Sequence, residues 1–363
     1  MAHAFSARAT NCTAPRTCRV ERDPRCDTVM IVSRSALSAP ALPVALVLVL
    51  AGCEGRQSAL APAGREAAQL ATLFWFMLAG AVVLWVLVNG LFLYVTRLNP
   101  RPLSRRLAES VIIGGGIVFP FVVLAALLGY GLSIMPMQRE PGSGLTLHVT
   151  GEQWWWRVEY RLDGESAARA VVAANEVRLP VGRRTEIRLD SAEVIHSFWI
   201  PALAGKTDMF PGRETRMALE PDRTGVFRGQ CAEFCGTSHG LMAFEAVVME
   251  ADAFDAWLER ERGEASPPAD ALSRRGQAVF LAEGCGACHA VRGTPASGGY
   301  GPDLTHVGGR ESLGAGVLSP EPDSFARWIA HTDVVKPDVD MPTYGHLAED
   351  DLEALASYLA GLE

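Results

Sequence analysis

The sequence has no surplus of positive charge: 41 acidic against 33 basic residues leave a formal net charge of -8 over 363 residues. A nucleic-acid binder needs a basic face for the phosphates, so that class is excluded. An acidic exterior suits a basic protein partner instead. The chain also lacks the spread of cysteines that would make a disulfide framework. Of its eight cysteines, Cys12, Cys18 and Cys26 precede the expected mature start and Cys53 sits in a processing site. The other four form two tight pairs, Cys231 with Cys235 and Cys285 with Cys288. What the chain has in excess is apolar: hydrophobic residues make up 49% of it and the mean hydropathy is +0.14, too high for an ordinary soluble protein and long enough for two or three domains.

From Met30 the stretch MIVSRSALSAPALPVALVLVLAGC carries one arginine, an apolar core and then Leu50-Ala51-Gly52-Cys53. It resembles a bacterial lipoprotein signal peptide. Residues 1–52 are therefore expected to be an upstream region plus signal, with translation starting at Met1 or Met30, Cys53 as the lipidation candidate, and 53–70 as an extracytoplasmic segment. Two apolar runs follow, about 71–95 and 111–132, each beyond the ~20 residues that cross a bilayer as helix. They predict a transmembrane hairpin over 71–134. Arg97, Arg101, Arg105 and Arg106 lie between them, so the connector is expected in the cytoplasm and everything after it outside.

From Leu145 to Glu250 the pattern changes to short period-two runs bounded by Gly, Pro and Asp, which predicts a β-sandwich or barrel. DAFDAWLERER then reads as a closing helix, giving a domain over 143–262, and 263–270 (GEASPPAD) reads as a linker. The loop GQCAEFCGTSHGLM joins two of the strands and concentrates soft donors, the set that selects copper, zinc or an iron cluster. His196 heads an earlier strand, and a sandwich can bring a strand end beside a loop 35 residues later. The inventory becomes His196, Cys231, Cys235, His239 and Met242, with the Glu233 carbonyl between the cysteines. Two bridging thiolates, a histidine for each metal and two weak axial donors describe a dinuclear copper centre. A Cys231–Cys235 disulfide leaves His239 and Met242 unexplained. Blue copper uses one cysteine, and structural zinc does not favour a thioether.

The pattern C-x-E-x-C-x-x-x-H-x-x-M, preceded by the strand histidine and by Gly205-Lys206-Thr207-Asp208-Met209-Phe210-Pro211-Gly212-Arg213, resembles subunit II of haem-copper cytochrome c oxidase from about residue 68 to 260. The resemblance implies a cupredoxin fold with a CuA centre at the matching residues, and a Glu233 carboxylate that helps bind Mg or Mn at the boundary with subunit I. It also implies that Trp154, first in the run Trp154-Trp155-Trp156, receives electrons from cytochrome c, against the plainer reading of core packing. A family glutamate at a proton channel has its nearest acid here in Glu109, whose spacing favours a plain interfacial carboxylate.

Residues 271–363 contain Cys285-Gly286-Ala287-Cys288-His289, the attachment signal for a c-type haem: two thiols for the vinyl groups and an adjacent histidine for the iron. Helix-like segments flank it, ALSRRGQAVFLAEG and LAEDDLEALASYLAGL. The region resembles class I cytochrome c, whose crossing first and last helices would match Gly276 and Phe280 with Leu355 and Tyr358. Met341, in a Met-Pro step, is the expected second axial ligand beside His289 and would raise the potential. His306, His331 and His346 are its competitors, His306 reading as structural.

The fold class expected is a multi-domain membrane protein: a two-helix transmembrane hairpin, an all-β cupredoxin sandwich and an all-α cytochrome c domain. The whole resembles subunit II of a caa3-type oxidase in a bacterial inner membrane, with its C-terminal domains periplasmic. Such a subunit would accept electrons from cytochrome c through one covalent haem c and the CuA centre, and pass them to subunit I for oxygen reduction and proton pumping. The two apolar runs hold no histidine, so the oxygen site is expected in another subunit. A nitrous oxide reductase would need its own catalytic domain, a copper chaperone gains nothing from a haem, and the related quinol oxidase subunit lacks these copper ligands.

Overall fold

The computed structural model describes residues 54–98, 102–138 and 140–363. The upstream region, the signal peptide and the lipidation candidate Cys53 lie outside the described residues.

Helix α1 (Arg65–Leu93) runs through a π-helical end to Leu98; α2 (Arg105–Ile113) and α3 (Phe119–Gln138) are joined by another π-helical turn, Gly114–Val118. The two apolar spans, Arg65–Leu98 and Arg105–Pro136, are each long enough to cross a membrane. Phe76, Trp85 and Phe121 on them are exposed, which suits lipid or a neighbouring membrane subunit. Helix α1 begins at Arg65, earlier than the hydropathy at Ala71 predicts. Its first turn belongs to the sandwich: buried Glu66 accepts from Arg184 Nη1 at 2.5 Å and from the Glu220 N–H at 3.2 Å, and the Ala67 N–H donates to the Leu203 carbonyl. A buried carboxylate is tolerated there because it is paired and hydrogen-bonded.

Ten strands make two five-stranded sheets. One has the order β3 (Val171–Ala174), β2 (Trp155–Leu162), β1 (Leu145–Glu152), β5 (Thr185–Ser191), β8 (Thr215–Leu219). The other has β4 (Glu176–Pro180), β10 (Ala243–Met249), β9 (Gly225–Cys231), β6 (His196–Trp199), β7 (Thr207–Met209). Strands β1/β5 and β4/β10 pair in parallel. Leu145, Leu147 and Val149 alternate inward along β1, as the period-two pattern requires. Between the sheets Phe198 stacks on Phe244 at 4.7 Å and Trp156 meets Phe244 edge-on at 5.1 Å. The aromatic run is broken by a turn: β1 ends at Glu152, β2 starts at Trp155, and Gln153 and Trp154 lie between them. Helix α4 (Ala251–Glu261) closes one end, its Trp257 against Tyr160 at 5.1 Å.

The segment between the domains is pinned rather than loose: Arg292 donates to the carbonyls of Glu261 and Gly263. Beyond it α5 (Ala271–Ala282) crosses the last helix of the chain, with α6 (Pro322–Ala330) and α7 (Thr332–Val335) before that helix, α8 (Glu349–Ala360). Phe280 on α5 meets Tyr358 on α8 at 5.8 Å. Hydrogen bonds tie this helical domain to the sandwich: Arg178 Nη2 to the Gly309 carbonyl at 2.8 Å, and the Glu311 N–H to Glu176 Oε2 at 2.7 Å.

Candidate functional site

Strand β6 begins at His196, and β9 ends at Cys231 against it, Cys231 pairing with Phe198. The fold thus closes the 35-residue gap in sequence. His196 is fully buried; its Nδ1 lies 3.7 Å from Cys231 Sγ, and its Nε2 has no hydrogen-bond partner among the described residues. The ring fits there because Gly151 faces it: a Cβ at that position would lie 2.7 Å from His196 Cδ2. The loop then turns Cys235 back, so that its Sγ lies 3.8 Å from Cys231 Sγ, 3.5 Å from His239 Nδ1 and 3.9 Å from Met242 Sδ. The sulfurs are too far apart for a disulfide bond, which needs about 2.05 Å. The Glu233 carbonyl points at the same cluster, 3.1 Å from Cys231 Sγ.

Burial decides what this cluster can do. Cys231, Cys235 and Met242 are all buried, with few polar partners other than one another. The contact with Cys235 lowers the pKa of the Cys231 thiol, and the same contact together with burial pushes Cys235 up. Two thiols, two imidazoles and a thioether around one small volume form a soft donor set, suited to copper and unsuited to calcium or magnesium. His196, Cys231 and Cys235 bring their ligand atoms within 4.8 Å of one another. The Glu233 carboxylate faces the other way, half-exposed and 3.7 Å from Lys206 Nζ. Lys206 also holds Asp208 at 2.7 Å, which keeps the Asp208 carboxyl below its usual range.

In the helical domain a cavity of about 400 Å³ is lined by Phe280, Cys285, Cys288, His289, Met341 and Tyr344. His289 Nδ1 donates to the Pro302 carbonyl at 2.8 Å, which fixes the ring and leaves Nε2 as the nitrogen that could hold a metal. Burial lowers the His289 pKa and keeps the imidazole neutral, the form that binds iron. The two thiols and the imidazole in one apolar cavity, with a thioether on its wall, fit a covalent haem. His306, His331 and His346 do not line it: His306 Nε2 lies 3.4 Å from the Gly263 carbonyl and His346 Nε2 lies 3.7 Å from Glu283.

The sandwich supplies part of that cavity's wall, through Trp154 and Trp155 among others. Trp154 is only 6% exposed, and its indole N–H donates to the Cys235 carbonyl at 2.9 Å. It is thus buried between the two donor clusters rather than on an open surface. Gln153 Nε2 makes a parallel bond to the same carbonyl at 2.8 Å. Two cavity residues escape sequence reasoning, Arg310 and Lys336. Arg310 is buried and donates to the Asp303 carbonyl; Lys336 is 2% exposed, and burial pushes its ammonium down to about 7. Nothing in a motif marks a lysine that will be buried. Glu109 is half-exposed and pairs with Arg105 one helical turn away at 2.7 Å.

The family model for the periplasmic domain of cytochrome c oxidase subunit II matches residues 162–251, and the cytochrome c model matches 273–363. Cytochrome c oxidase subunit 2 of Alkalihalophilus pseudofirmus is 33% identical over 333 residues, covering 88% of this chain and 95% of that protein. The subunit 2 of Bacillus sp. is 34% identical over 230 residues, 60% of this chain and 62% of that protein. Among solved structures, the periplasmic domain of subunit II of cytochrome oxidase from Bradyrhizobium japonicum is 30% identical. It covers 34% of this chain and 96% of that domain, with a TM-score of 0.31.

Proposed function

The chain belongs to the cytochrome c oxidase subunit II family, with a cytochrome c domain fused to it, and on that premise we propose that it takes electrons from cytochrome c and delivers them to subunit I of a proton-pumping oxidase. The family implies copper and haem c as its cofactors and other oxidase subunits as its partners. His196, Cys231, Glu233 through its carbonyl, Cys235, His239 and Met242 would hold a dinuclear copper centre. Cys285 and Cys288 would hold one haem c covalently, His289 and Met341 its iron. The Glu233 carboxylate would reach a Mg or Mn ion at the boundary with subunit I. The hairpin would sit in a bacterial inner membrane with both later domains on the periplasmic side.

When bound, the copper pair and the haem supply one-electron carriage. The chain's own part is to hold them rigidly, keep water out and join them by a short path. Trp154 carries this reading: its ring lines the cavity of Cys285 and Cys288, and its N–H ends on the carbonyl of Cys235. An aromatic ring and one hydrogen bond therefore separate the two donor sets. In this fused chain Trp154 would receive electrons from the chain's own haem rather than from a soluble protein. The soft, buried copper donors are held by two strands and one loop, so a change of oxidation state need not rearrange them.

The test is purification of the oxidase from native membranes, followed by metal, haem and paramagnetic-resonance analysis. The expected result is a hyperfine pattern of one electron shared between two copper nuclei, one covalent haem c per chain and a large multi-helix subunit in the same complex. A single-copper pattern would reject the paired assignment.

A further inference from the structure

The cytochrome domain meets the copper-binding loop and the strand after it at Ser238 and Ala243, and through Trp154 at Lys336, while Gln57 of the N-terminal segment meets the loop at Gln230. Ser238, 1% exposed and next to His239, donates its hydroxyl to the Pro337 carbonyl at 2.5 Å. The N–H of Ala243, next to Met242, donates to the Ala315 carbonyl at 2.9 Å. Lys336 Nζ donates to the Trp154 carbonyl at 2.6 Å and to the Gly314 carbonyl at 2.9 Å, while the Trp154 indole fastens Cys235. Each of these contacts lies next to a copper ligand in sequence or reaches one through a single residue.

We propose that Lys336 and Ser238 are positioning residues for the copper centre, and that the cytochrome domain is a fixed wall of the copper site rather than a tethered shuttle. This inference rests on the copper reading above and goes beyond it. Burying a lysine ammonium is costly, and the contact persists only where fixed acceptors replace its water. Here the acceptors come from both domains, one carbonyl from each, so Lys336 bolts them together at the copper loop. The backbone supports the same conclusion. Gly314, Ala315 and Gly316 have φ of 62°, 64° and 79°, three successive left-handed residues, which an alanine adopts only where its surroundings impose it. That run turns the fully buried Ala315 so that its carbonyl meets the Ala243 N–H. Outer hydrogen bonds that fix metal ligands set both affinity and potential, and these are such bonds supplied across a domain boundary.

The experiment uses the whole oxidase carrying K336M or S238A, titrated with a copper chelator and examined for its copper resonance spectrum and for the separate potentials of copper and haem c. Methionine keeps the length and apolar stem of lysine and removes its donors; the serine change leaves the charge untouched. The expected result is a loss of roughly ten- to hundredfold in copper affinity for K336M, a smaller loss for S238A, and a shifted copper potential in both. Haem c content should stay at the unmodified value in both variants, and so should the haem c potential in S238A, since Ser238 does not line the haem cavity. Unmodified copper affinity and spectrum in both variants would overturn the proposal, and so would a parallel loss of haem and copper in both, which marks general loosening. A missing paired-copper signal in the unmodified oxidase would overturn the copper reading itself and this inference with it.

Discussion

Oxidase carrying Cys235→Ser is expected to lose its paired copper and to stop oxidising cytochrome c while keeping its covalent haem c. Cys235 is the hub of the cluster, within 4 Å of a donor atom from Cys231, His239 and Met242. Its thiolate is the soft donor that a second metal would share with the first. Serine offers a hard oxygen that stays protonated near neutral pH, so the shared bridge and its softness disappear together. Cys235 does not line the haem cavity, and none of the residues proposed to hold the haem is altered. Paramagnetic resonance and steady-state turnover, with the haem c absorbance as internal control, make the measurement. Turnover at the unmodified level would show that electrons bypass this cluster.

Gly276→Val is expected to break the helix crossing of the cytochrome domain. A Cβ on Gly276 would lie 1.9 Å from the Ala354 carbonyl oxygen and 2.7 Å from Tyr358 Cβ. The first contact is with the backbone of α8, so no side-chain rotation relieves it, and the crossing of α5 and α8 must open. The Phe280–Tyr358 contact opens with it. Overpacking a tight core costs about 1–3 kcal/mol, and a fixed backbone clash puts this change at about 3 kcal/mol or more, a large part of the stability of a small domain. Denaturant unfolding followed through the haem band should show a strongly lowered midpoint; an unchanged midpoint would mean that the helices cross elsewhere.

Much of the candidate copper site was legible because five of its six candidate donors fall within one loop, and because their softness names a metal class whatever the fold. His196 was reachable by chemistry plus topology, since a sandwich can lay a strand end beside a distant loop. The candidate haem-attachment signal was equally local. What sequence could not show was which surfaces meet. Hydropathy put the start of the first helix at Ala71 because it cannot see that the turn around Glu66 is buried against Arg184 and the Glu220 N–H. The tryptophan run read as a surface patch or as core. The structure has Trp154 buried in a turn, with its ring on one domain's cavity and its N–H on the other cluster. Lys336 gave no signal at all, since its meaning lies in two carbonyls that are 182 and 22 residues away.

Time-resolved absorbance on the intact oxidase can follow an electron from haem c to copper. A light pulse with a photoreductant puts one electron on haem c, and the haem c and copper bands are then followed together in the unmodified oxidase and in W154L. Haem c is expected to be reoxidised with the same time constant as copper is reduced, and W154L to slow this step with both centres still present. Copper reduced ahead of haem c, or an unchanged rate in W154L, would contradict this route.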